Sequence, residues 1–499
     1  MSMKRPAFLW VPLSLLLAGV APAQISVHSL EGIDASQLGG RAGFNVGANG
    51  AVGTKQYLEW VNTFYQGYDK TTLQPVYRSP VAGNTPWYGN PNTPDCSGGA
   101  GDVVILFDHL ASRWIIARHQ GQNPYFYCVA VSNTDDLTAS DFGWYGYELA
   151  LNPLLGQNSQ GVTYFPDYAK IATWPDAYYA TFDLQDVSNK YQIVGTLVCA
   201  FDRLNMLNGD PSRTPQCFRY PNVPTGSVFL AHSLLPADID GTNPPPVGTP
   251  ESFISIQNPS GLATTSNTLN LWQFHVDWTT PANSTFMGPT PLAVNTYTPG
   301  CYSVSNPTNT VCVPEPSTAS THNPIDSVGD RLMHRFAFRQ FLGSSPYQSY
   351  LISHTVRVGT TTNQATGIRW YEYRPGGGIV NSGTIFPGAA NYRFMPSIAQ
   401  DQVGNLAVGY SMSGAAMHPS IKASYLSLPQ GSTATEFAIR NGSADEQNRP
   451  NWGAFSSMTV DPVDDCTFWY VNEYFAVNQI GSNVTWQTRI ANFKIPTCP

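Results

Sequence analysis

The feature that most limits what this chain can fold into is a strand pattern recurring about every 50 residues, a period typical of arrays and propellers. The clearest module starts at Gly101-Asp102. It predicts strands at Asp102 to Asp108 (DVVILFD), Arg113 to His119 (RWIIARH), Phe126 to Ser132 (FYCVAVS) and Trp144 to Leu149 (WYGYEL), with a tight turn at His109 to Ser112. The first strand is almost wholly apolar, as a strand covered on both faces should be, and the later ones alternate more. Inner hairpins of the same kind are read at Ala51 to Asp69, Tyr168 to Asp183, Ser227 to Ser233 with Thr268 to Trp278, Asp330 to Phe338, Pro396 to Ser411 and Phe455 to Tyr474. Several end their inner strand on an Asp before a turn, at Asp108, Asp401 and Asp461. Such an Asp caps the turn through backbone bonds, a structural role.

With the Gly101 module this makes about seven units, and the expected fold is all-β: a single seven-bladed β-propeller of four-stranded blades, which closes in a ring and hides its strand edges. Residues near Ile25 to Leu30 are expected to complete the final blade. The 43 Gly and 40 Pro leave little room for long helices. A pair of β-sandwich domains is the alternative, and it fits the even spacing less well. The Pro-rich stretches Asn243 to Pro250 and Pro307 to Pro324 read as surface loops, because strand patterning resumes on both sides.

Residues 1–23 read as a signal peptide: Lys4-Arg5, an apolar run from Ala7 to Val20, then Ala21-Pro22-Ala23 before Gln24. The propeller domain is then 24–499, secreted, with no membrane span and expected as a monomer. Eight Cys in an exported chain suggest disulfides. They fall into neighbouring pairs, Cys96 with Cys128, Cys199 with Cys217, Cys301 with Cys312, and Cys466 with Cys498. Net charge is −8, with no basic run. Nucleic-acid binding needs clustered cations, so it is disfavoured.

The segments AVGTKQYLEW near Ala51, FDHLASRW near Phe107, FPDYAKIATWPDAYY near Phe165, GDRLMHRFAFR near Gly329, SIAQDQVGNLAVGYS near Ser397 and WGAFSSMTVDPVDDCTFWYVNEY at Trp452 resemble an uncharacterised group of secreted bacterial seven-bladed β-propeller-like proteins. The resemblance implies the fold and export, and no particular activity. Similar sequences tend to carry Asp after Trp-Gly in the last blade, where this chain has Ala454.

No H-E-x-x-H, C-x-x-C or phosphate-binding loop is present. The nearest approach to a nucleophile elbow, Gly409 to Ser413, lacks the second Gly. What stands out is an acidic set. Asp102, Asp167 and Asp330 each sit at the start of a predicted inner strand, after Gly101, Pro166 and Gly329. In a propeller those starts converge on the central channel, so three carboxyls from different blades would share one cavity as catalytic candidates. Carboxyls brought together raise one another's pKa, and one can then donate a proton while another stays ionised. The same oxygens could instead hold calcium, or simply close their own strands. Arg331 could orient a polyhydroxyl or anionic ligand, with Tyr168, Tyr392 and Trp452 as further substrate-binding candidates. Asp238-Ile239-Asp240-Gly241 resembles a calcium-loop fragment without its closing Glu. Asn283, Asn441 and Asn483 are potential glycosylation acceptors.

Two functions follow as expectations. The first is a propeller that binds, and cleaves as a hydrolase or lyase, an extracellular polysaccharide or glycoconjugate. The second is a non-catalytic binding or adhesion propeller with structural calcium.

Overall fold

The computed structural model describes residues 25–39, 46–98, 101–221, 228–229, 231, 233–256, 258–259, 266–301, 310–316, 324–359, 364–388, 390–427, 433–446, 452–477 and 485–499. The signal-peptide expectation, Asn483 and much of the second Pro-rich stretch lie outside them.

The chain is all-β, with only short helical turns among the described residues. Five four-stranded sheets and one eight-stranded sheet carry most of it, and four of the four-stranded sheets run outward from a buried first strand in chain order. The module starting at Gly101 shows how sequence becomes sheet. Val104–Asp108 is buried throughout, Arg113–Gln120 and Phe126–Ser132 are buried except at their ends, and Trp144–Ala150 is half-buried at the edge. The apolar run is continuous where the sheet is covered on both sides and gives way to alternation toward water.

The first strands touch one another in a cycle. Ala48–Val52 packs on Val104–Asp108, then Phe165–Thr173, Leu235–Ile239, Leu332–Phe341, Tyr392–Gln400 and Ser457–Val460, which returns to Ala48–Val52. The eight-stranded sheet arises because Leu235–Ile239 and Leu332–Phe341 pair in parallel, Ala237 opposite Phe336. Two four-stranded runs are thereby joined through their innermost strands.

One expected inner strand is displaced. Among the described residues Val228–Phe229 pairs with Asn258–Pro259, and the innermost strand of that unit is Leu235–Ile239. Pro236 and Asp238 make this segment read as a poor strand. Here Pro236 lies in the antiparallel pairing with Phe253, and the Asp238 carboxylate is consumed by Arg335.

The ring closes with the segment near Ile25: Val27–Asp34 lies antiparallel to Trp486–Lys494, Leu30 opposite Ile490. Glu59, fully buried, ties this strand to the first sheet by accepting from Ile33 N, Tyr68 Oη and Thr488 Oγ1. Burial pushes its carboxyl up to about 7. A raised carboxyl contributes stability that is complete below its unfolded value and lost as pH rises through the folded one. Glu59 is therefore expected to make the fold up to about 2 kcal/mol less stable at pH 8 than at pH 5.5. Calorimetric Tm values should fall over that interval, and Glu59→Gln should flatten part of the slope. An unchanged slope in the variant would remove Glu59 as its source.

All four neighbouring cysteine pairs are disulfides: Cys96–Cys128, Cys199–Cys217, Cys301–Cys312 and Cys466–Cys498. The turn-capping aspartates also act structurally. Asp401 accepts from Val403 N and Asn405 N, Asp461 from Val463 N, and Asp108 from Leu110 N and Ala111 N while holding Arg203.

Candidate functional site

Three of the innermost strands lose register. Pairing slips between Asp167 and Lys170, between Met333 and Ala337, and between Phe394 and Ser397. Each slip inserts extra residues on the inner strand, a bulge that bends the strand and re-aims its side chains. Tyr168 and Met395 take up two of these bulges at φ +52° and +51°, and Asp102, just before its strand, sits at +54°. A left-handed backbone at a residue other than Gly costs about 1–3 kcal/mol, so surrounding contacts must hold it.

Around the first of these bulges the charged groups converge. Lys170 is 1% exposed, with Nζ 3.7 Å from the centre of the Tyr168 ring and 4.2 Å from that of Phe455. Among the described residues it donates a hydrogen bond only to the neighbouring Ala169 carbonyl, at 3.3 Å. Burial lowers its pKa to about 8, and Asp102, Asp167 and Asp183 pull the other way. Asp167 accepts from Gln185, and burial, with Asp102 and Asp183 adding like charge, raises its carboxyl to about 6. Asp183 accepts from Ser233 N at 2.8 Å and Oγ at 2.9 Å. Arg331 forks onto Asp330 through Nε at 3.0 Å and Nη2 at 2.9 Å, its guanidinium 4.7 Å from the Tyr168 ring centre. His119 Nδ1 stands 4.0 Å from the Asp102 carboxylate, and burial lowers its pKa, leaving a neutral ring.

Among the described residues, three buried polar atoms here have no hydrogen-bond partner: Tyr168 Oη, His119 Nδ1 and His334 Nε2. Buried polar groups are normally satisfied, so such a cluster marks a place for water or ligand. Asp102, Asp330 and Arg331 keep 25%, 28% and 21% of their side chains exposed, so the cluster opens to solvent on that side.

The structure thus brings Asp102, Asp167, Asp330, Arg331 and Tyr168 into one neighbourhood. Tyr392 and Trp452 lie elsewhere. Trp452 is 2% exposed, donates Nε1–H to Ser411 Oγ and packs on Phe475; Tyr392 is half-buried against the same core. Trp87 is likewise core, while Tyr88 is exposed. Lys170, His119, Asp183 and Phe455 were not singled out by sequence. Lys170 did leave a signal: it is a charge within the otherwise apolar run Ala169 to Ala172.

Asp238 and Asp240 form no cation loop. Arg335 donates to both, at 2.8 Å each. Among the described residues no group of three or more His, Cys, Asp or Glu is arranged to hold a metal ion. The acidic cluster fits calcium poorly for a chemical reason, since its carboxyls already share Lys170 and Arg331 as counter-charges.

No family model matches the chain, and no curated protein matches it either, so the resemblance drawn above rests on its quoted segments alone. Solved structures similar to it include an α-L-arabinanase from Penicillium chrysogenum complexed with arabinobiose (TM-score 0.37, 8% identity, covering 95% of this chain and 100% of that one). Another is a polysaccharide lyase, an ulvan lyase (0.41, 10%, 86% and 92%). A third is Drosophila Semaphorin 1a, extracellular domains 1–2 (0.31, 9%, 91% and 87%). Two act on glycans by name and one is a different kind of extracellular protein, and at these scores none carries an argument about what this chain does.

Proposed function

We propose that this chain is a secreted seven-bladed β-propeller that binds and cleaves an extracellular glycan at the cluster built on Asp102, Asp167, Lys170 and Arg331. The observation carrying this reading is the convergence, from separate sheets, of two carboxyls in unlike surroundings beside unsatisfied buried polar atoms. Glycoside cleavage uses such a pair. Asp167, held protonated near pH 6, donates its proton to the departing glycosidic oxygen as the bond to the anomeric carbon breaks. Asp102, 4.0 Å from His119, serves as the second carboxyl, which activates the incoming water or stabilises positive charge at that carbon. Tyr168 Oη and His334 Nε2 are then completed by sugar hydroxyls.

The test is purified protein incubated with a panel of soluble polysaccharides, read for new reducing ends and for new carbon–carbon double bonds. Reducing ends without double bonds are expected on at least one member. Retention of a glycan with no turnover would instead favour the binding or adhesion reading.

A further inference from the structure

Resting on the glycan reading, we infer that the sugar taken at this site is uncharged, and that the reaction is therefore hydrolysis and not elimination. The argument is electrostatic. Among the described residues the cluster holds four carboxyls, Asp102, Asp167, Asp183 and Asp330, against two cations, Lys170 and Arg331. Neither cation is positioned to receive an anionic sugar. The Nε–Nη2 edge of Arg331, a fork shaped to grip a carboxylate, is taken by Asp330, so the guanidinium is already paired. Lys170 is 1% exposed and stands against the Tyr168 and Phe455 rings, so a group arriving from solvent meets Asp102 and the paired Asp330 and Arg331 first.

His119 and His334 add no positive charge, because burial lowers both pKa values. A uronate or sulfated sugar would bring a negative charge into a partly desolvated site where carboxyls outnumber cations even with Asp167 protonated, a repulsive element that discriminates by exclusion. Hydroxyl groups suit the same site, since each can donate to the solvent-facing carboxyls of Asp102 and Asp330 without adding charge. Elimination requires a sugar whose carboxyl acidifies the neighbouring C–H, and exclusion of that carboxyl leaves addition of water across the broken bond.

The experiment is affinity electrophoresis and product analysis with neutral arabinan, galactan and xylan against polygalacturonate and alginate, using the full chain and Asp330→Asn. Retention and new reducing ends are expected with a neutral glycan, with the acidic pair about tenfold weaker or more. Asp330→Asn removes one negative charge and releases the Arg331 fork, and should gain about tenfold in retention of polygalacturonate. Cleavage of polygalacturonate or alginate with a new double bond would overturn the charge inference and leave the glycan reading intact, as would Asp330→Asn without any gain. Failure to retain or cleave any of the five would overturn the glycan reading and this inference with it.

Discussion

Asp167→Asn is expected to lower turnover of the cleaved glycan by about 10²–10⁴-fold, the usual contribution of a placed proton donor, while leaving the protein folded. The two halves of that result separate chemistry from structure. Asp167 is a buried carboxyl with Asp102 and Asp183 near it, so the neutral amide relieves both the burial of charge and the like-charge contact, and Tm should hold or rise. The pH profile adds a signature that a structural role would not produce. Donation requires the protonated form, so rate should fall as pH rises above about 6, roughly tenfold per unit, and the variant should lose that limb. Turnover within tenfold of the parent, or an unchanged basic limb, would remove Asp167 from the mechanism.

The second large effect concerns stability. Arg335, 1% exposed, donates Nε to Asp238, Nη2 to Asp240 and Nη1 to the Met458 carbonyl at 3.2 Å, while Asp238 also accepts from Thr173 N. One guanidinium thus links four of the innermost strands. Arg335→Met leaves two buried carboxylates without their cation, and removing one partner of a buried pair typically costs about 3–5 kcal/mol. In a chain this long that corresponds to a Tm lower by about 3–5 °C, because the unfolding entropy grows with length. Adding Asp238→Asn and Asp240→Asn to Arg335→Met should recover most of the loss. A single variant as stable as the parent would show that these carboxyls find other partners.

Much of the architecture was legible because period-2 patterning and burial report each other directly. In the Gly101 module the strands agree with expectation to within two residues, and cysteine proximity in sequence paired all eight correctly. Leu235–Ile239 was missed because a local rule against Pro and Asp in strands was overridden by a distant Arg. Trp452 was misjudged as ligand-facing because aromatic side chains serve core and binding alike, and only packing separates them. The acidic set was visible because Asp at the start of an apolar strand breaks a pattern. Its cationic half was harder to see. Lys170 reaches the carboxyls through a bulge, and a one-residue slip in register is not encoded by alternation.

The closing strand has a consequence in time. Ser29 meets its partner Arg489 across 460 positions of chain, so the last sheet cannot be completed until almost everything between has been made and ordered. Contacts of such long range come late, after their loop-closure cost has been met by the rest of the structure. Val27–Asp34 is made early and waits without its partner while the rest of the chain is made, and its joining to the outer edge of Trp486–Lys494 gives the last sheet its fourth strand.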